Sequence, residues 1–265
     1  MNPRRLTSRS NRRLKLARKL GQRRQRAKEG LFVAEGPRVV AAALEAGAQL
    51  RDVFCTEDML ARHEELAAAL GASPWPVWAV GEELMAGAAS TEHPQGVVAV
   101  VEMPRDPEPP RVAPGLLAVA LEGVGDPGNV GSVVRSAHAA GASHVVLGPG
   151  CCDAYNAKAV RASAGGVFAV PVVRAEELGS LLRRLWAEGA NVVAAIPRGQ
   201  RAPWEADLRA PLVVVMGGEA RGMSEATAAA AVQTVGIPMP GGAESLNVAA
   251  AAAALLYEVT RQRAG

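Results

Sequence analysis

Residues 116–148 read LLAVALEGVGDPGNVGSVVRSAHAAGASHVVLG, and their hydrophobic period changes twice. LLAVALE is a continuous apolar run that Gly123 ends. It is too short for a buried helix and reads as a strand covered on both faces. GVGDPG has turn-forming composition. Residues 131–140 then carry apolar side chains at helical spacing, and HVVLG returns to a strand. Strand, helix and strand in this order make a parallel βαβ unit, whose crossover needs a dozen or more residues. VFAVPVV, NVVAAIP, LVVVMG and TVGIPM are further strand candidates, separated by helical stretches such as residues 178–188. Residues 115–265 are therefore expected to form an α/β domain on a parallel sheet covered on both faces.

In front of this domain lies PRDPEPPRVAP, residues 104–114, with five prolines in eleven residues. Such composition favours extended, semi-rigid backbone and reads as a linker. Earlier still, FVAEG reads as a strand ending at a turn, residues 37–46 as a helix closed by Gly47, and RDVFCTE as a strand. Residues 63–70 read as a helix, and PVWAV and GVVAVVEM as strands, so a small α/β domain is expected over about residues 30–103. Residues 14–26 form one predicted helix ahead of it, with Leu14, Leu16 and Leu20 set among cations, and residues 1–103 are taken as one substrate-binding domain.

The net charge of +3 is unevenly spread. Residues 1–28 hold 12 of the 29 Lys and Arg and no acid, whereas the remainder carries 17 basic against 26 acidic residues. Such a cluster attracts polyanions through counterion release, and arginine, 25 of the 29 cations, suits forked contacts to phosphate. Nucleic acid is the leading partner, with Arg12, Arg13, Arg23, Arg24 and Arg26 as candidate RNA contacts. A solvated tail or an organelle transit segment remains the alternative.

Three cysteines, two of them adjacent at Cys151 and Cys152, offer neither a paired framework nor zinc-ligand spacing. Free thiols, no metal site and a reducing cytoplasm are expected. The longest apolar stretch, residues 248–256, falls far short of the roughly 20 residues a membrane span needs. No apolar segment follows the basic start, so a soluble, unexported protein is expected.

Three segments carry candidate chemistry. Gly123, Gly125 and Gly128 spell a literal GxGxxG, but the acidic residue a dinucleotide ribose requires about 20 positions on is missing before Asp153. A Rossmann-type oxidoreductase therefore fails, and the glycines serve a tight turn. In NVGSVVRSA, Asn129 and Arg135 lie on a helix at the carboxyl end of a parallel strand, where open α/β sheets bind ligands, and they could grip ribose and phosphate. A helix-capping Asn and a surface Arg would look the same. In LVVVMGGEARGMS, Gly217 and Gly218 permit close backbone approach to a ligand, and Glu219 could orient an Arg or a polar substrate group; a plain strand-to-helix turn is the alternative. In IPMPGGAESLNVAAAAAALLYE, a Gly-rich loop with Ser245 and Asn247 precedes an alanine-rich helix that also reads as ordinary core.

Taken together, these segments resemble the three ordered motifs of the SpoU (TrmH-like) RNA 2′-O-ribose methyltransferases, NxGxxxRxA, GxExxG and IPMxGxxxSLNV. YNAKAVRASAGGVFAVPV, SRSNRRLKLARKL and FVAEGPRVV resemble the family too, so the likeness covers nearly the whole chain; Ala249 departs from it, standing where Ser is common. The resemblance implies a SPOUT-type catalytic domain with a carboxyl-terminal trefoil knot, preceded by a small α/β domain of the ribosomal-protein L30e-like kind. It implies S-adenosylmethionine bound in the knot, through Gly217, Ile237 and Leu246 with Gly218 and Met239 nearby, and a homodimer formed through the catalytic domain. It assigns Arg135 to activation of the hydroxyl, Asn129 and Asn247 to positioning ribose and Arg, Glu219 to fixing Arg135 or its partner, and Ser245 to shaping the loop. A normal Arg does not deprotonate, so Arg135 is read as orienting the hydroxyl and phosphate and stabilising developing oxyanion charge. Large-subunit ribosomal RNA is the expected substrate, with transfer RNA methylation or a non-catalytic ribosome assembly role as alternatives.

Overall fold

The computed structural model describes residues 3–105, 107–209, 211–219 and 221–264. In chain order the first elements are β1 (Arg4–Arg5), α1 (Arg12–Lys19), α2 (Arg23–Glu29), β2 (Leu31–Glu35), α3 (Pro37–Glu45), β3 (Leu50–Cys55), α4 (Glu57–Arg62), α5 (Glu64–Ala72), β4 (Val77–Ala79), α6 (Glu82–Ala88) and β5 (Val97–Glu102). Then come β6 (Leu117–Glu122), α7 (Pro127–Ala139), β7 (His144–Leu147), α8 (Ala157–Ala162), α9 (Gly166–Ala169), β8 (Val172–Arg174) and α10 (Leu178–Ala187). The chain finishes with β9 (Asn191–Ala195), β10 (Leu212–Gly217), α11 (Glu225–Ala228), β11 (Gln233–Val235) and α12 (Val248–Ala264). Two compact units result, one of Met1–Arg105 with Asp153–Phe168 and one of Asp106–Cys152 with Ala169–Gly265.

In the first unit the strand order is β1-β4-β3-β5-β2, with β1, β4 and β3 mutually parallel and β5 antiparallel to both β3 and β2. The basic start is folded onto this sheet and is no solvated tail. Arg4 and Arg5 pair with Trp78 and Ala79, and Leu6, Leu14, Ala17 and Leu20 enter one core with Phe54, Met85 and Val98. The single helix expected over residues 14–26 is two, because Leu20 turns into the core and the Gly21 N–H bonds back to Arg18 O. Glycine also weakens a helix interior. Thr56 caps α4, a helix the periodicity does not reveal, by accepting from Met59 N at 3.2 Å.

Residues 153–168 belong to this first unit although they lie between strands of the second in sequence. Here α8 packs on β2, and the Phe32 ring lies 4.9 Å from Tyr155 and 5.9 Å from Phe168. That packing corrects the strand expected for VFAVPVV. Gly166–Ala169 is helical, and only Val172–Arg174, beyond Pro171, joins a ladder.

The second unit is one parallel sheet in the order β11-β9-β10-β6-β7-β8. Leu212, Val213, Val214 and Val215 on β10 are at most 2% exposed, and burial of each contributes about 1.5–3 kcal/mol. Parallel pairing places the carboxyl ends of β6, β9, β10 and β11 along one edge, Gly217 beside Glu122 and Val235 beside Ala195. α12 packs against α7. α7 starts earlier than its apolar periodicity suggests: Pro127 opens it, and Asp126 Oδ1 accepts from Asn129 N at 3.0 Å. Asp before Pro is the cap signal the sequence offers.

Candidate active site

A cavity of about 300 Å³ opens along the carboxyl edge of the second unit's sheet. Its floor is apolar, from Met216 on β10, Val235 on β11 and Leu255 on α12. Gly217, Gly218, Ile237, Met239 and Leu246, the candidate cofactor residues, all line it, as do Glu219 and Ser245. An apolar hollow with few polar groups, at a crevice outside the strand ends, is the usual form of a small-molecule site in open α/β sheets. Its lining therefore fits a small, largely apolar ligand with a few polar groups. Ile196 and Pro197, just after β9, also line the cavity. The sequence signal for them was the strand end itself, with no polar residue to draw attention.

The paired glycines have a reason the sequence does not show. A Cβ on Gly218 would fall 2.1 Å from the Gly123 carbonyl oxygen, and one on Gly217 would fall 2.5 Å from the Gly222 carbonyl carbon. They permit approach of the chain's own backbone, joining the loops after β6 and β10.

At the cavity mouth, three of the predicted residues meet. Asn247 Nδ2 donates to Glu219 Oε1 at 2.8 Å and to Asn129 Oδ1 at 3.0 Å, and Asn129 Nδ2 donates to Glu219 Oε1 at 3.3 Å. Val248 N lies 3.4 Å from the same Glu219 oxygen, and Asn247 Oδ1 accepts from Ala249 N at 3.0 Å, so the third motif begins α12 and joins the cluster at once. Asn129 is thus not the cap of α7. Arg135 is not part of the cluster. It is exposed and bonds to no described residue, whereas Glu219 is held by two amides, contrary to a direct Glu219 to Arg135 contact. Six residues along a helix amount to about 120° of rotation and about 9 Å of rise, which carries Arg135 off the face of Asn129.

The amino-terminal arginines divide. Arg12, Arg23 and Arg24 are exposed. Arg13 pairs with buried Asp52 and stacks 4.9 Å from the Trp78 ring, whose Nε1 donates to the same carboxylate at 2.9 Å. Arg26, grouped from the sequence with the RNA contacts, is instead a buried structural cation. It is 2% exposed, donates to Asp153 Oδ2 at 2.7 and 2.9 Å, and closes the turn by donating to the Leu20 and Gly21 carbonyls at 2.9 Å each. Burial pushes the Cys55 thiol up to about 12 and raises that of Cys151, so both are protonated. Among the described residues there is no group of His, Cys, Asp and Glu that could hold a metal ion, and no helix long and apolar enough to cross a membrane.

Residues 116–257 match the SpoU rRNA methylase family, and residues 11–99 match the MRM3-like substrate binding domain. The chain is 34% identical to the 23S rRNA (uridine(2479)-2′-O)-methyltransferase of Streptomyces viridochromogenes, covering 98% of this chain and 93% of that one. It is 31% identical to the 23S rRNA (guanosine(2553)-2′-O)-methyltransferase RlmP of Bacillus subtilis, over 96% and 98% of the two chains. The crystal structure of the SpoU methyltransferase AviRb from Streptomyces viridochromogenes in complex with AdoMet superposes with a TM-score of 0.84 at 33% identity, covering 96% of this chain and 99% of that one.

Proposed function

Because the chain belongs to the SpoU rRNA methylase family, we propose that it transfers a methyl group from S-adenosylmethionine to a ribose 2′-hydroxyl of large-subunit ribosomal RNA. The observation that carries this reading is the convergence of the second and third motif loops on one apolar cavity, with the first motif joined to its mouth through Asn129, which bonds to Glu219 and Asn247. S-adenosylmethionine, when bound, would supply an electrophilic methyl on sulfonium, the S–C bond giving way to an O–C bond while the hydroxyl proton passes to solvent. The residues of this chain supply alignment, which is worth several orders of magnitude in rate for an in-line displacement. Gly217, Gly218, Ile237, Met239 and Leu246 hold the cofactor, Ser245 shapes its loop, and Asn129, Glu219 and Asn247 form a preorganised polar frame for the ribose. Arg135 orients the hydroxyl and the adjoining phosphate and stabilises charge developing on oxygen.

The first unit, with Arg12, Arg23 and Arg24 exposed on its helices, grips RNA phosphates. A homodimer through the catalytic domain is supported by α12, which leaves Ala250, Ala253, Ala254 and Tyr257 exposed on one helical face, Tyr257 at 74%. A carboxyl-terminal trefoil knot belongs to the same reading, as the likeness to the SpoU family implies.

The test is incubation with tritiated S-adenosylmethionine and unmodified ribosomal or transfer RNA, followed by mapping of 2′-O-methyl positions. Label at one ribose of the large-subunit RNA is expected. Label confined to transfer RNA moves the substrate there, and cofactor binding without any transfer favours an assembly role.

A further inference from the structure

We propose that Glu122 is a positioning residue that clasps both ends of the loop between β10 and α11, and thereby shapes the cofactor cavity. The inference rests on the reading of that cavity as the S-adenosylmethionine site. Glu122 is the last residue of β6 and is 8% exposed. Its main-chain oxygen accepts from Gly218 N at 2.7 Å, where the loop leaves β10. Its carboxylate accepts from Ser224 N at 2.8 Å through Oε2 and from Ser224 Oγ at 3.0 Å through Oε1, where the loop enters α11. Ser224 is also the cap of α11, accepting from Thr227 N at 3.3 Å.

A buried carboxylate is costly unless its oxygens are bonded, and a bond from a backbone N–H to an ionised carboxylate is stronger than a neutral one. Here both oxygens serve a single residue. Between the two anchors the loop is drawn together by Gly222 N donating to Gly218 O at 2.9 Å, and it supplies Gly218, Glu219, Gly222 and Met223 to the cavity wall. Met223 directly precedes Ser224, so release of Ser224 loosens the cavity wall, while Glu219 stays tied by Asn129, Asn247 and Val248. Glu122 itself does not line the cavity; it acts through Ser224.

Glu122→Gln keeps the size of the side chain but exchanges two carboxylate acceptors for one neutral acceptor and one donor, so Ser224 keeps its bonds only as weaker neutral ones with its hydroxyl reversed. In the protein without cofactor, amide hydrogen exchange over residues 217–224 should accelerate about tenfold, while β6 and β10 keep their protection. By calorimetry, the Kd for S-adenosylmethionine should rise about tenfold, with kcat at saturating cofactor within about threefold of wild type. A merely structural role would lower Tm and leave the Kd of the folded protein unchanged. Ser224→Ala removes the hydroxyl bond to Glu122 together with the cap on Thr227 N, keeps the bond from Ser224 N, and should raise the Kd about threefold; if Glu122→Gln does not fold, this variant decides on the same readouts. Unchanged loop exchange overturns the clasp, and faster exchange with unchanged affinity overturns its role in cofactor binding. Failure of the wild-type protein to bind S-adenosylmethionine would overturn the proposed function instead, and the exchange measurement would still decide the clasp.

Discussion

Arg135 lies about 120° around α7 from Asn129, outside the polar cluster and outside the cavity lining, so its side chain is available to RNA. Arg135→Ala should lower the single-turnover rate about 10²- to 10³-fold and leave the Kd for S-adenosylmethionine within about twofold, since the interaction is made with the reacting ribose. Near-normal turnover would remove Arg135 from the mechanism. Asn247→Ala deletes two bonds from the frame, those to Glu219 and to Asn129, and leaves Glu219 with the longer bonds from Asn129 Nδ2 and Val248 N. Its rate should fall less, about tenfold, and loss of the acceptor for Ala249 N and Ala250 N at the start of α12 should cost about 1 kcal/mol of stability. A variant that loses rate only in proportion to its unfolded fraction would make the third motif a packing device. Arg26 belongs to another class. Arg26→Ala leaves Asp153 without its guanidinium and two carbonyls without donors, and should cost about 3 kcal/mol in urea denaturation, against less than about 0.5 for Arg23→Ala.

At the scale of elements, β2 ends in a carboxylate that ties the first unit together. Glu35 is 3% exposed and accepts from Ser90 N at 2.8 Å, from Ser90 Oγ at 2.6 Å and from the Thr91 hydroxyl, with Arg161 of α8 3.6 Å away. Burial alone would raise its pKa, but the hydrogen bonds from Ser90 and Thr91 and the charge of Arg161 prevail and hold it below the ordinary 4.5. A carboxyl with a lowered folded pKa adds stability that is fully present above its unfolded value and is lost as pH falls through the folded one. The gap in Tm between wild type and Glu35→Gln should therefore be constant from pH 7 to about 5.5 and shrink below about pH 4.5. A gap that stays constant to about pH 3 would show that Glu35 is not held ionised.

At the scale of the molecule, charge is segregated, and the segregated cations are carried on folded helices. Arg12, Arg23 and Arg24 together replaced by Ala should weaken RNA binding and flatten the slope of log affinity against log salt by about 0.7–0.9 for each phosphate no longer neutralised, with cofactor affinity unchanged. An unaltered slope in filter binding would move the RNA-binding surface elsewhere. Deleting residues 1–28 is the poorer experiment, since Leu6, Leu14, Ala17 and Leu20 are core. The sequence by itself determined the parallel sheet, because continuous apolar runs such as LVVVMG can be satisfied only between two covering layers. It also determined that the loops after these strands lie along one edge, because parallel pairing brings the carboxyl ends of strands together whatever their order. Only the tertiary structure decided that Glu219 is held by amides, that residues 153–168 pack with the first unit, and that Arg26 and Glu122 are buried tethers. Those outcomes depend on pairings between residues about 30 to 130 positions apart, which no local period or propensity encodes.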